Sequence, residues 1–167
     1  MTPISPSIST PLLRSAPRAL AEYTLVRHLE LDPGLLERFG AGARAEWRRD
    51  IEARLANLAA ALDVGRPELF ADFVRWQREG FVARGVPHDD LRRSLECLRE
   101  VLADELPEGA RTEPARAITL ALDRLDGAAP EMATGLASDG PHRDLARRFL
   151  VALLEWRGEE AERLVLD

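Results

Sequence analysis

Few side chains in this sequence have types and spacing suited to chemistry. His28, His88 and His142 are the only imidazoles. A histidine metal site wants a second imidazole at helical spacing, or carboxylates close by. None of the three has another His near it in sequence, and the Asp89-Asp90 pair after His88 reads as the acidic first turn of a helix. No metal ligand is therefore expected. Cys97 is the single cysteine, which excludes an internal disulfide and a Cys-based zinc site. It sits beside Leu91, Leu95, Leu98 and Leu102, where a thiol acts as a small hydrophobe; a redox sensor would need exposure and a lowered pKa. Nucleophiles are scarce: after residue 15 the only serines are Ser94 and Ser138. There is no Ser-x-x-Lys, Gly-x-Ser-x-Gly, His-Glu-x-x-His or phosphate-cradling glycine loop. Acidic pairs such as Asp89-Asp90 and Glu159-Glu160 read as solvated helix positions. The chain is expected to have no catalytic residues and not to be an enzyme.

Aromatic side chains offer a second kind of chemistry. Trp47, Phe70, Phe73, Trp76 and Phe81 could wall a pocket for a small apolar ligand, because such pockets are concave and largely apolar. Their spacing also suits core positions, the commoner reason for such a stripe. If a ligand site exists, it is expected between the helices carrying Trp47 and Trp76, lined by Trp47, Phe73, Trp76 and Phe81.

The elements that would position these groups are helical. Residues 16–30 carry Leu20, Tyr23, Thr24 and Arg27 along one stripe. Asp32-Pro33 is a helix-start signal, opening a short helix through Leu35, Leu36 and Phe39 that Gly40 and Gly42 stop. Trp47, Ile51, Leu55, Leu58 and Leu62 then draw a narrow apolar seam at spacings of three and four, with Arg48, Arg49, Glu52 and Arg54 assigned to other faces. Gly65 is placed for a left-handed cap. Pro67 starts the next helix and Gly85 ends it. Leu91, Leu95, Leu98 and Leu102 repeat the seam until Pro107, and Ile118, Leu122 and Leu125 mark a fifth long helix from about Thr112. Ser138-Asp139-Gly140-Pro141 is the clearest boundary, followed by a helix through Leu145, Phe149, Leu153 and Trp156 and the start of another. No period-two alternation occurs. The expected fold is all-α, an antiparallel helical bundle, with a globin-like arrangement compatible with the same pattern.

Composition narrows the function classes. The chain has 167 residues, 46% of them hydrophobic, and 23 basic against 29 acidic residues give a net charge of −6. Every basic residue is Arg, the bias of a GC-rich coding sequence. The arginine pairs at 48-49, 92-93 and 147-148 lie among acidic residues rather than on one basic face, so direct nucleic-acid binding is not expected. No apolar run reaches the roughly 18–20 residues of a membrane span. Residues 1–15, rich in Ser, Thr and Pro, lack a signal-peptide pattern and read as a flexible leader. The lone cysteine suits a cytoplasmic protein. The expected layout is a leader over 1–15, a sensor or interaction bundle over 16–137, and the start of a second helical unit over 138–167, truncated at Asp167 because no capping signal follows Leu164, Val165 and Leu166.

Two stretches resemble known families. Residues 148–167, with Phe149-Leu150-x-Ala152-Leu153-Leu154, a turn at Arg157-Gly158 and Ala161-x-x-Leu164-Val165, resemble the opening of the helical cap that precedes the corrinoid domain of cobalamin-binding regulators. That family carries a cobalt-ligating His in an Asp-x-His-x-x-Gly motif. Here His142 has the wrong spacing and no Gly after it, so the resemblance implies cobalamin only in a downstream domain, with no cofactor in this chain. Residues 20–106, with Phe81-x-x-Arg84-Gly85-Val86-Pro87-x-Asp89-x-Leu91-x-x-x-Leu95 between two long helices, resemble the N-terminal helical sensor domains of stressosome-type regulators, some of them globin-like without haem. The resemblance implies a non-catalytic, cytoplasmic sensor that forms a homodimer and passes a signal to a protein output domain. The narrow seams would supply the dimer surface. A helical module with an apolar small-molecule pocket is the alternative.

Overall fold

The structure, a computed structural model, describes residues 8–40 and 42–127, which belong to the first of two units into which the chain divides. Among the described residues there are seven α-helices and no strand: α1 Ser9–Ser15, α2 Pro17–Leu31, α3 Leu35–Phe39, α4 Ala43–Asp63, α5 Pro67–Ala83, α6 His88–Glu105 and α7 Thr112–Leu125, with a 3₁₀ turn at Glu108–Ala110. The expected all-α bundle is what forms. No helix among them is long and apolar enough to cross a membrane. The boundary at residues 138–141, the second helical unit and His142 lie outside the described residues.

The chain punctuates these helices as its sequence dictates. Pro17 and Pro67 stand in the first turns of α2 and α5, where a missing N–H costs nothing. Gly65 and Gly85 end α4 and α5 in the left-handed region, at φ of 64° and 72°. The amides of Arg66 and Val86, just beyond them, bond back to the carbonyls of Ala61 and Phe81 at 2.9 Å, the reversed closure that a left-handed cap permits.

The two seams are spent inside the chain. Trp47, Ile51, Leu55, Leu58 and Leu62 of α4 and Leu91, Leu95, Leu98 and Leu102 of α6 are all buried, joined by Ile118, Leu122 and Leu125 of α7. Each such side chain contributes about 1.5–3 kcal/mol on burial. Helix α2 packs against α4 and α6, and α5 against α4 and α7. A second copy of the chain would therefore have to use some other face than these seams.

Three expectations need correction. Residues 9–15 are not part of a flexible leader: α1 packs on α4, buries Leu13, and Ser9 Oγ donates to the Ala110 carbonyl at 2.8 Å. Its Leu12-Leu13 pair supplies apolar surface that a Ser/Thr/Pro count overlooks. Helix α2 is also rotated from the expected stripe. Its inner face is Leu20, Ala21, Thr24, Leu25 and His28, while Tyr23 is exposed; Thr24 enters because its hydroxyl donates to the Leu20 carbonyl at 2.8 Å. Finally, Arg54 is not on an outer face of α4 but fully buried, at 0% exposure. It lies three residues after Ile51 and four before Leu58, on the seam itself.

Candidate functional site

The aromatic residues divide between two places. Trp47 of α4 and Phe81 of α5 meet edge to face with centroids 5.5 Å apart, and Phe39 of α3 lies 6.2 Å from Trp47. With Ala43 and Val86 they wall a cavity of about 300 Å³, at the lower end of what small-ligand pockets occupy. Phe73 and Trp76 form a separate pair, 6.1 Å apart. Trp76 is 58% exposed, and neither residue lines the cavity. Of the four residues singled out from the sequence, Trp47 and Phe81 thus share a site, and Phe73 and Trp76 stand elsewhere on α5.

The cavity has a charged rim that the aromatic pattern did not indicate. Glu46, Asp50 and Arg84 line it. Arg84 donates to the Asp50 carboxylate at 3.2 Å and lies over the Phe81 ring at 4.7 Å from its centroid, a cation–π distance. Arg84 extends α5 by one residue ahead of Gly85, so the left-handed cap sets where the guanidinium emerges. The sequence signal available was Trp47-x-x-Asp50, which puts the carboxylate one turn from the ring on α4.

Beneath the aromatics lies a set of polar groups in the core. His28 of α2 is 0% exposed, meets Trp47 edge to face at 5.3 Å, and neither ring nitrogen has a protein hydrogen-bond partner. Burial lowers its pKa to about 4, against the attraction of Asp90 and Asp32, so the imidazole is neutral at pH 7. Asp32, which closes α2, and Asp90, in the first turn of α6, each place a carboxylate oxygen so close that these and a ring nitrogen of His28 lie within 4.8 Å of one another. Arg38 of α3 bridges the acids, donating to both oxygens of Asp32 at 3.2 and 2.7 Å and both of Asp90 at 3.1 Å. The Arg38 guanidinium holds the Asp32 carboxyl below the ordinary carboxylate range.

Asp90 is therefore no solvated helix position: it is 7% exposed and points inward. Its neighbour Asp89 is exposed, and Glu159 and Glu160 lie outside the described residues. Nor does the Asp32 side chain cap α3, whose cap is Gly34. His88 stands at the start of α6 with Nε2 3.4 Å from an Asp126 carboxylate oxygen and Nδ1 3.7 Å from one of Asp89. Cys97 is buried, and burial pushes its thiol up to about 11, the protonated state expected of a packing residue.

Arg54 completes the buried polar set. Its Nη1 donates to Ser94 Oγ at 2.8 Å and its Nε to the Asp50 carbonyl at 3.2 Å, while Nη2 has no partner. Burial lowers its pKa to about 10, which leaves it a cation at neutral pH without a carboxylate in contact. The backbone of Asp50 thus supports Arg54 while its side chain holds Arg84, so α4 links the rim of the cavity to the core. No protein-family model matches this chain, and neither a curated protein nor a solved structure shows detectable similarity to it.

Proposed function

We propose that this chain is a non-catalytic sensor module that takes a small amphipathic ligand in the cavity between α4 and α5. The observation that carries the reading is the cavity itself, about 300 Å³ with an aromatic wall of Phe39, Trp47 and Phe81 and the Asp50–Arg84 pair at its rim. Apolar walls supply most of the affinity of such sites, and a few charged groups fix orientation. Trp47 and Phe81 are at once pocket walls and core residues, so a ligand that moves them repacks α4 against α2 and α5. A packed core responds to such displacement as a body, which is what a sensor requires.

The resemblance of residues 20–106 to helical sensor domains of stressosome-type regulators supports this role. The similarity of residues 148–167 to a cobalamin cap supports coupling to a corrinoid-binding output domain in the same cytoplasmic regulator. A homodimer would be the unit that transmits the signal. Exposed Trp76 with Leu69 on the outer side of α5 favours that face over the seams.

Thermal shift with a panel of bicyclic aromatics from indole to naphthalene-1-sulfonate, read alongside titration calorimetry, tests the reading. A binder should raise Tm and release or take up heat saturating at one equivalent, and Val86→Phe, which fills the cavity from a half-buried wall position, should abolish both. If no compound in the panel binds, or if binding survives Val86→Phe, the ligand-sensing role fails.

A further inference from the structure

We infer that His28, Asp32 and Asp90 form a binding site for a divalent transition-metal ion, with Arg38 as the side chain that yields to it. The argument starts from the donor set. One imidazole and two carboxylates, from the end of α2 and the start of α6, hold their ligand atoms within 4.8 Å of one another. An N/O set of this kind suits zinc, manganese, iron or cobalt rather than soft copper(I). Metal–ligand bonds of about 2.0–2.2 Å place neighbouring donors roughly 3–3.5 Å apart. The site must contract by about 1–2 Å at most, which side-chain torsions alone can supply.

The second observation is the state of His28. Fully buried polar groups are almost always hydrogen-bonded, yet both nitrogens of this ring lack a protein partner while the ring faces two carboxylates. A metal gives one nitrogen the partner it lacks.

Arg38 is the apparent obstacle, because it occupies both carboxylates. Its hold on the two acids is unequal. Its side chain is 40% exposed, and it projects from the five-residue α3 between Gly34 and Gly40, the latter at φ of 82°. The pair with Asp32 is partly exposed and contributes only about 0–1 kcal/mol, whereas Asp90 is largely buried, so its carboxylate releases the guanidinium only when the metal takes over the positive charge. Exchange replaces one positive charge by two between the two carboxylates, and the guanidinium swings into solvent. Arg38→Ala removes the competitor, so it should tighten binding.

The test uses the full chain without a histidine tag, after chelator treatment, titrated with Co²⁺ and Zn²⁺ alone. Cobalt should give visible d–d absorption at one equivalent and quench part of the tryptophan emission, that of Trp47, whose ring lies 5.3 Å from that of His28. Arg38→Ala should bind about tenfold tighter. His28→Leu and Asp32→Asn should each abolish absorption and quenching, two independent losses at sites of different burial. His88→Ala serves as the control, because His88 with Asp89 and Asp126 is the other place among the described residues where an imidazole meets carboxylates, and it should bind as wild type does. The inference is overturned if neither ion binds at about 100 µM, a lenient level for a dedicated site. It is equally overturned if binding survives His28→Leu or disappears in His88→Ala.

Discussion

Replacing His28 by leucine should stabilise the metal-free protein, and the size of the gain follows from its surroundings. The ring is wholly buried with both nitrogens unpartnered. An unsatisfied buried polar atom costs about 1–3 kcal/mol. Leucine fills a similar volume without polar atoms, and forfeits the edge-to-face contact with Trp47, which contributes about 0.5–1.5 kcal/mol. The net gain should be about 1–2 kcal/mol at pH 7.5 in chelator. For a chain of this length that is a rise in Tm of roughly 3–6 °C, readable by circular dichroism.

The pH dependence sharpens the test. The groups facing His28 are Asp90 and Asp32, which favour its charged form, and Arg54 and Arg93, which oppose it, but desolvation outweighs them all. Its folded pKa of about 4 lies below the ordinary 6.5, so the unfolded chain binds the extra proton between those values. The stability of the wild type is complete above pH 6.5 and falls as pH drops toward 4, by about 3 kcal/mol in all. Asp32 titrates below that window. The lead of His28→Leu should therefore widen from about 1–2 to about 4–5 kcal/mol between pH 7.5 and pH 4, on the same pKa difference. A variant less stable than wild type at pH 7.5, or a gap that does not change with pH, would refute the reading of His28 as a buried, unpartnered imidazole.

Four further outcomes follow from the packing. Leu13→Ala should destabilise the fold by about 2–4 kcal/mol in urea titration, because Leu13 is buried where α1 meets α4; a loss below 0.5 kcal/mol would return residues 9–15 to the status of a leader. Arg54→Met should be neutral to stabilising, by up to about 2 kcal/mol, since a buried cation with no carboxylate in contact gives way to an apolar side chain of similar length. Ser94→Ala, which leaves that cation with one fewer acceptor, should cost about 2 kcal/mol, and equal effects of the two changes would contradict the assignment. Gly85→Ala should cost about 1 kcal/mol for φ of 72° alone, because nothing lies within 4 Å of the added carbon, and a larger loss in Tm would point to a steric role.

What the sequence shows about this protein and what it hides separate along a physical line. Helix ends were legible because Pro67, Gly65 and Gly85 act through local backbone geometry. The α4 and α6 seams were legible because Ile51, Leu55, Leu91 and Leu95 recur at helical spacing. Polar residues inside the core escape that logic, since periodicity scores hydrophobicity and treats every charge as outward. Arg54 sits in register with Ile51 and Leu58, and His28 in register with Leu20, Thr24 and Leu25, yet both types argue for the surface. In a chain whose basic residues are all arginine, Arg54 carries no mark of its own. The meeting of His28, Asp32 and Asp90 was half visible: His28-x-x-x-Asp32 is an i, i+4 pair of potential ligands, but its third member stands 58 positions beyond Asp32 in the sequence. Only the packing of α2 on α6 brings Asp90 there, and only α3 between them sets Arg38 across the two acids. Sites assembled from several elements are thus recorded in the sequence as polar exceptions to a helical stripe: His28 meets Trp47, Asp90 meets Arg38, and Arg54 lies 6.0 Å from the centre of the Phe81 ring that Trp47 also meets.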